Sequence, residues 1–94
     1  MRLFEVVERL PEWDEDGMIC VRKPWTGASD AIVVQPLENG GMPADAREAG
    51  FSYFLEVSIS RQIVRDIKKP LSSAEQLRIL IHYATYDAFP DDQA

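Results

Sequence analysis

Apolar residues in the N-terminal part of the chain recur with the spacing of one helix face. The i, i+3, i+4 and i+7 positions are taken by Leu3, Val6, Val7 and Leu10. This spacing predicts a short helix over residues 2–10. We expect the helix to end at Pro11, because the residue before a proline avoids the helical conformation.

Two short apolar runs predict a pair of strands. An acidic, turn-rich segment at 11–17 precedes the first run, 18–21, and a proline follows the second, 31–34. Continuous apolar runs of this length, bounded by turn residues, are typical of strands that are covered on both faces. We expect the two strands to form a β-hairpin with a long loop.

A third strand is predicted by alternation after a glycine-rich segment. Residues 37–50 are predicted to be a loop that contains one turn of helix at 43–49. From residue 51 to residue 58 the pattern has a period of two, which indicates a strand. Its regular apolar positions are Phe51, Tyr53, Leu55 and Val57.

The C-terminal third contains two helical patterns. The first follows the third strand directly, with Ser58 or Ser60 as its expected cap and Pro70 beyond its end. Its apolar face consists of Ile59, Ile63 and Ile67. The second pattern begins with Ser72 and Glu75, which match a capping box, and predicts a helix over residues 73–86. The apolar stripe of that helix consists of Leu77, Leu80, Ile81 and Ala84.

The order helix, strand, strand, strand, helix, helix predicts an α+β fold. We expect a three-stranded, mainly antiparallel sheet with helices packed on it. The chain has 94 residues, so we assign one domain to 1–94, with residues 90–94 as a polar, frayed tail. No apolar stretch approaches the roughly 20 residues that cross a bilayer. Acidic residues near the N-terminus and a single cysteine favour the cytoplasm over export.

Charge narrows the classes of partner. Ten basic and 16 acidic residues give a net charge of −6, which argues against a surface that binds nucleic acid broadly and favours a basic protein partner. One local exception is a basic helix face formed by Arg61, Arg65, Lys68 and Lys69. Such a face can bind phosphates or an acidic partner, but solvated charged faces are more common.

Residues suited to catalysis, metals or cofactors are scarce. His82 is the only histidine and lies within the last helix, and Cys20 lies inside an apolar strand, where a thiol is inert. The glycines at 39–41 lack the lysine of a phosphate-binding loop. The carboxylates at 14–16 do not have the spacing of an EF-hand calcium loop. We therefore predict no catalytic residue, no metal and no cofactor, and a non-enzymatic protein.

Two tryptophans stand beside charged or turn residues. Trp13 is surrounded by Glu12, Asp14, Glu15 and Asp16. Trp25 follows Pro24 in the next loop. Tryptophans in such positions are typical of interface anchors, and acidic neighbours would attract a basic partner. The alternative is that both indoles cover the edge of a small core. The candidate partner-binding residues are Trp13, Asp14, Glu15, Asp16 and Trp25.

Several segments together suggest a family. They are Leu10-Pro11, the strand Ile19-Cys20-Val21 with Arg22-Lys23-Pro24-Trp25, Gly50-Phe51-Ser52-Tyr53-Phe54-Leu55-Glu56-Val57, and His82-Tyr83-Ala84-Thr85-Tyr86-Asp87-Ala88-Phe89. The chain resembles a family of small uncharacterised bacterial proteins, grouped as domains of unknown function. In size and charge it is also similar to immunity proteins of polymorphic toxin systems, including contact-dependent growth inhibition. That resemblance implies a cytoplasmic protein that neutralises a cognate toxin.

Three functional hypotheses follow. The first is an immunity protein that occludes the basic active site of a toxin. The second is a structural or regulatory module that forms homo-oligomers through exposed apolar residues such as Phe54 or Tyr86. The third is a small enzyme or ligand-binding protein, which the sequence supports least.

Overall fold

A computed structural model describes residues 1–67 and 70–90. In chain order the elements are α1 (Leu3–Glu8), a 3₁₀ turn (Leu10–Glu12), β1 (Met18–Val21), β2 (Ala31–Val34), α2 (Ala44–Glu48), β3 (Ser52–Glu56), α3 (Val57–Asp66) and α4 (Ser73–Tyr86). Within the described ranges, no helix combines the length and the apolar character needed to cross a bilayer.

The three strands form one antiparallel sheet in the order β2-β1-β3. In the hairpin, Met18 lies opposite Val34 and Val21 lies opposite Ala31. The predicted α+β class, the hairpin and the antiparallel sheet with an N-terminal helix and C-terminal helices are confirmed. The two runs predicted as strands have the same bounds as β1 and β2.

Both faces of β1 are covered, which explains its continuous apolar sequence. Ile19 and Val21 belong to the main core, which contains residues of α1, α3 and α4 such as Leu3, Ile63 and Leu80. Side chains alternate across a strand, so Met18 and Cys20 point to the other face. There they pack against Met42 and Ala46 from the segment that contains α2.

A β-bulge in β3 changes the predicted alternation. Leu55 lies opposite Ile19, but Tyr53 lies opposite Cys20, so Phe54 is an extra residue in β3. A bulge of this kind turns the side chain of the extra residue away from the regular pattern. Phe54 is consequently 1% exposed in the main core, whereas Tyr53 is 43% exposed. The prediction of Phe54 as an exposed oligomerisation residue is therefore wrong.

Two helix boundaries also differ from prediction. The N-terminal helix ends at Glu8, earlier than predicted, and Pro11 lies in the first turn of a separate 3₁₀ turn, where no backbone donor is needed. The first of the C-terminal helices begins at Val57 with Glu56 as its N-cap residue, so neither Ser58 nor Ser60 caps it. Ser60 is instead buried within α3, where its hydroxyl donates to the Glu56 carbonyl over 3.0 Å.

The last helix matches its prediction closely. Ser72 and Glu75 form the capping box, and the helix spans Ser73–Tyr86. Ile79 and Leu80 are fully buried and connect α4 to the main core. Of the predicted tail at 90–94, Pro90 is buried and the remainder lies outside the described residues.

Candidate functional site

The acidic segment before β1 is an exposed loop. We call residues 12–16 the acidic loop; all four of its carboxylate side chains are exposed, and Trp13 between them is half-buried. The loop connects the 3₁₀ turn to β1, so its position depends on what holds the 3₁₀ turn. The contacts of Trp13 and Arg61 provide that support.

Trp13 is fixed by contacts below the loop. Its indole Nε1 donates to the Val6 carbonyl of α1 over 2.9 Å. The guanidinium of Arg9 lies 5.0 Å from the centroid of the indole ring, a favourable distance for a cation–π contact. The ring also packs against the main core. Trp13 thus has the core-edge position that the sequence left as an alternative, with one side of the residue still accessible.

Arg61 donates hydrogen bonds to three backbone carbonyls beneath the loop. Its Nε and Nη2 each lie 3.2 Å from the Leu10 oxygen, and Nη2 lies 3.1 Å from the Pro11 oxygen and also donates to the Trp13 oxygen. Carbonyls at the end of a helical turn lack intrahelical partners, and a charged donor satisfies them strongly. Arg61 therefore supports the acidic loop.

Two of the four residues of the predicted basic helix face, Arg61 and Arg65, lie in the described part of the chain. Arg61 points to the carbonyls of the 3₁₀ turn and is half-buried, while Arg65 is exposed. Lys68 and Lys69 lie outside the described residues. The guanidinium of Arg61 therefore bonds to carbonyls of the 3₁₀ turn rather than lying free on a solvated helix face.

Local hydrogen bonds fix the acidic turn itself. The Asp14 carboxylate accepts the Asp16 backbone N–H over 2.9 Å, and the Asp14 carbonyl accepts the Gly17 N–H over 2.9 Å. A side chain at Gly17 would come within 3.0 Å of both the Asp14 carbonyl and a methyl of Val33, so the tight passage into β1 favours glycine. The loop thus displays its carboxylates on a constrained backbone.

The acidic loop does not form a metal site. No group of three or more histidine, cysteine or acidic side chains converges on a possible metal position in residues 1–67 and 70–90. Asp14 uses its carboxylate in the turn, while Glu15 and Asp16 extend into solvent. The remaining carboxylate, that of Glu12, forms an ion pair with Arg9 over 3.5 Å.

Trp25 lies at the other end of β1. Its indole Nε1 lies 3.4 Å from the Val21 carbonyl, and its ring meets Phe54 edge-on with 5.1 Å between the ring centroids. The ammonium of Lys23 lies 5.3 Å from the centroid of the Trp25 ring. Since a strand rises about 3.3 Å per residue, the two ends of β1 are roughly 10 Å apart. The five candidate residues therefore occupy two loops at opposite ends of one strand.

Three cations surround the loop that contains Trp25. We call Arg2, Arg22 and Lys23 the basic cluster; they line one surface depression together with Asp30 and polar residues of the β1–β2 loop. Sequence analysis missed this cluster, because Arg2 reaches it through contacts with residues that are distant in sequence, the bridge to Asp30 and the hydrogen bond to the Ala28 carbonyl. The adjacent Arg22 and Lys23 after a buried strand were the available signal.

The side chains of Cys20 and His82 are both engaged within the fold. Cys20 is fully buried, and burial raises the pKa of its thiol above the ordinary value, which disfavours the reactive thiolate. His82 is half-buried on α4, where its Nδ1 lies 3.0 Å from the Ala88 carbonyl and its ring contacts that of Tyr86. These contacts tie His82 to the chain reversal after α4.

Comparisons of the chain with protein-family models, with curated proteins and with solved structures found no match. The resemblance to bacterial immunity proteins stays an expectation.

Proposed function

We propose that this chain is a non-enzymatic domain that binds a basic protein partner through its acidic loop. The most specific form of the proposal is a cytoplasmic immunity protein that neutralises a cognate bacterial toxin by covering its active site. The observation that carries the proposal is the display of exposed carboxylates on a backbone that Arg61 and Trp13 hold in place.

Pre-organisation of the acidic loop supports a role in recognition. Ordering a flexible loop at an interface opposes binding, so a loop that is already ordered retains more of its interaction free energy. Arg61 donates to three carbonyls of this segment from a helix about 50 residues away in sequence. The acidic loop would therefore present its carboxylates to a partner without first having to be ordered.

Charge supports a basic partner. The net charge of −6 attracts a cationic protein over distances of about one Debye length, roughly 8 Å at physiological ionic strength. Near the surface, the carboxylates of the acidic loop would orient that partner and suppress acidic competitors. The expected consequence is fast, salt-sensitive association.

A toxin with a nuclease-like active site is the partner that best fits these properties. Such an active site must be cationic, because it binds the phosphates of nucleic acid. A rigid acidic loop can occupy the same cationic surface and exclude the substrate. The resemblance in size and charge to immunity proteins supports this form of the proposal.

Homo-oligomerisation is the alternative, and one observation still favours it. Tyr86 is 68% exposed at the end of α4, which leaves a large aromatic ring available for a second copy. Phe54, the other residue proposed for this role, is buried. Light scattering over a range of concentrations tests the alternative, which requires a mass that rises with concentration and a Tyr86→Ser variant that abolishes the rise.

Affinity capture from the native host tests the proposed function. The bait is the tagged chain, and the control bait carries Asp14→Asn, Glu15→Gln and Asp16→Asn, which keep side-chain shape and remove three charges. We expect the unmodified bait to capture one basic protein in stoichiometric amount and the control bait to capture much less. Equal capture by both baits, or capture of an acidic protein, would contradict the proposal.

A further inference from the structure

The basic cluster is a concentration of positive charge in an acidic protein. Arg2, Arg22 and Lys23 line a depression of about 480 Å³ beside the β1–β2 loop. In the described part of the chain none of the three forms an ion pair, and the carboxylate of Asp30 is the one acidic group that lines the depression. A chain with a net charge of −6 has ample carboxylates to neutralise these cations, yet they stay unneutralised.

Neutral groups position the three cations. The Arg22 guanidinium lies 4.8 Å from the centroid of the Phe51 ring, and the Lys23 ammonium lies 5.3 Å from that of Trp25. Arg2 donates from Nη1 to the Ala28 carbonyl over 2.8 Å. Aromatic rings and carbonyls hold a cation in place while leaving its formal charge intact. Each of the three cations therefore has a defined contact within the fold and keeps its positive charge.

The loop beside the cluster is ordered by its own hydrogen bonds. The hydroxyls of Thr26 and Ser29 lie 3.1 Å apart, and Ser29 also accepts the Thr26 backbone N–H over 2.9 Å. The Ala28 N–H in turn bonds to the Thr26 hydroxyl over 3.2 Å. The wall of the depression is thereby constrained, so a ligand would not have to order it.

From this arrangement we infer that the depression at the basic cluster is a binding site for a phosphate group. Two arginines offer forked donors that match phosphate oxygens, and a lysine adds a third positive charge. With three cations and one carboxylate lining it, the depression has a net positive charge that suits a doubly charged anion better than a ligand with one negative charge. The site is distinct from the acidic loop, at the other end of β1, and does not depend on the proposed toxin partner.

An NMR titration tests the inference. The ¹⁵N-labelled chain is titrated at pH 7 and constant ionic strength with inorganic phosphate, with O-phosphoserine and, as the reference anion, with chloride. We expect saturable shifts of the amides at 22–30 and at Arg2 with both phosphate compounds and none that saturate with chloride. Tighter binding of phosphoserine would identify a phosphate ester as the preferred source, and tighter binding of inorganic phosphate would identify free phosphate.

Matched variants distinguish phosphate binding at the basic cluster from nonspecific electrostatic attraction. Arg22→Gln and Lys23→Gln should each weaken phosphate binding about tenfold, the effect expected of one hydrogen bond between charged groups. Arg65→Gln removes the same charge from an exposed position on α3 and should change the affinity less than about twofold. Arg22→Lys keeps the charge but loses the fork, so it should bind with intermediate affinity.

Two results would overturn the inference. One is the absence of saturable amide shifts when the unmodified chain is titrated with phosphate. The other is an equal loss of affinity in the Arg65→Gln variant, which would indicate nonspecific attraction. Dispersed amide spectra of each variant establish that it is folded.

Discussion

The acidic loop and the basic cluster flank the same strand and are built around tryptophans that are held in the same way. Each indole N–H lies within hydrogen-bonding distance of a backbone carbonyl, that of Val6 for Trp13 and that of Val21 for Trp25. Each ring also has a cation near its face, Arg9 at the end of α1 for Trp13 and Lys23 for Trp25. The exposed charges differ in sign, negative before β1 and positive after it.

Because the tryptophan contacts are alike and the charges are opposite, the two kinds of side chain can be assigned different roles. Both indoles pack against the main core, so each supports its loop from below. The charged side chains around them are exposed, and we propose that their sign determines which kind of partner each loop attracts. In this account the aromatic residues stabilise the fold, and the carboxylates and cations select the ligands.

The largest expected effect comes from removing either tryptophan. Trp25→Ala and Trp13→Ala should each lower the free energy of unfolding by about 3 kcal/mol, near the lower end for tryptophan-to-alanine changes because both side chains are half-buried. Urea denaturation monitored by circular dichroism measures the change. A loss below about 0.5 kcal/mol at Trp13, as is usual for surface sites, would favour the interface-anchor interpretation of that residue.

Arg61 should affect only one of the two loops. Arg61→Gln should cost about 2 kcal/mol of unfolding free energy, because it leaves carbonyls of the 3₁₀ turn without a charged donor. Amide hydrogen exchange should become faster at residues 12–16 and stay unchanged at 22–30. Arg65→Gln, one helical turn further on, should leave both segments unchanged. Equal acceleration in both segments would mean that Arg61 stabilises the whole fold rather than the acidic loop.

Cys20 lies on β1 between the two loops, and we expect its buried thiol to contribute to stability rather than to binding. Cys20→Ser should cost about 1–3 kcal/mol, because it buries a hydroxyl on the packed strand. Since burial raises the pKa of the thiol above the ordinary 9.0, the unfolded chain ionises first. The stability contributed by the neutral thiol is therefore complete below pH 9 and declines as the pH rises above it. Alkylation of the native protein at pH 8 should be far slower than in denaturant, and equal rates would contradict the burial of Cys20.

Local patterns were sufficient to predict the parts of the fold that depend on neighbouring residues. The capping box of Ser72 and Glu75 begins α4 where predicted, and the apolar runs gave the bounds of β1 and β2. The position of Phe54 could not be predicted in this way, because a bulge depends on the register between two strands rather than on the sequence of one.

The candidate site was predictable only in part, for the same physical reason. The exposed carboxylates at 14–16 follow from an acidic, turn-rich segment. The contacts of Arg61 could not be predicted, because the three carbonyls to which it donates lie about 50 residues earlier in the chain. Arg2 joins Arg22 and Lys23 through long-range contacts with Ala28 and Asp30, for which the sequence carries no local signal.

The charges of the acidic loop should affect stability least and binding most. The combined change Asp14→Asn, Glu15→Gln and Asp16→Asn keeps the hydrogen bond of the turn, since asparagine at 14 still offers a side-chain oxygen to the Asp16 N–H. The free energy of unfolding should change by less than about 0.5 kcal/mol.

Association kinetics at two salt concentrations test the central claim most directly. The partner is the basic protein captured from the host. The unmodified chain is compared with the variant that combines Asp14→Asn, Glu15→Gln and Asp16→Asn. We expect a slower on-rate and a weaker salt dependence in the variant, because long-range attraction between exposed charges is screened by salt. Unchanged on-rates at both salt concentrations would contradict the claim that the acidic loop is the surface that recruits the partner.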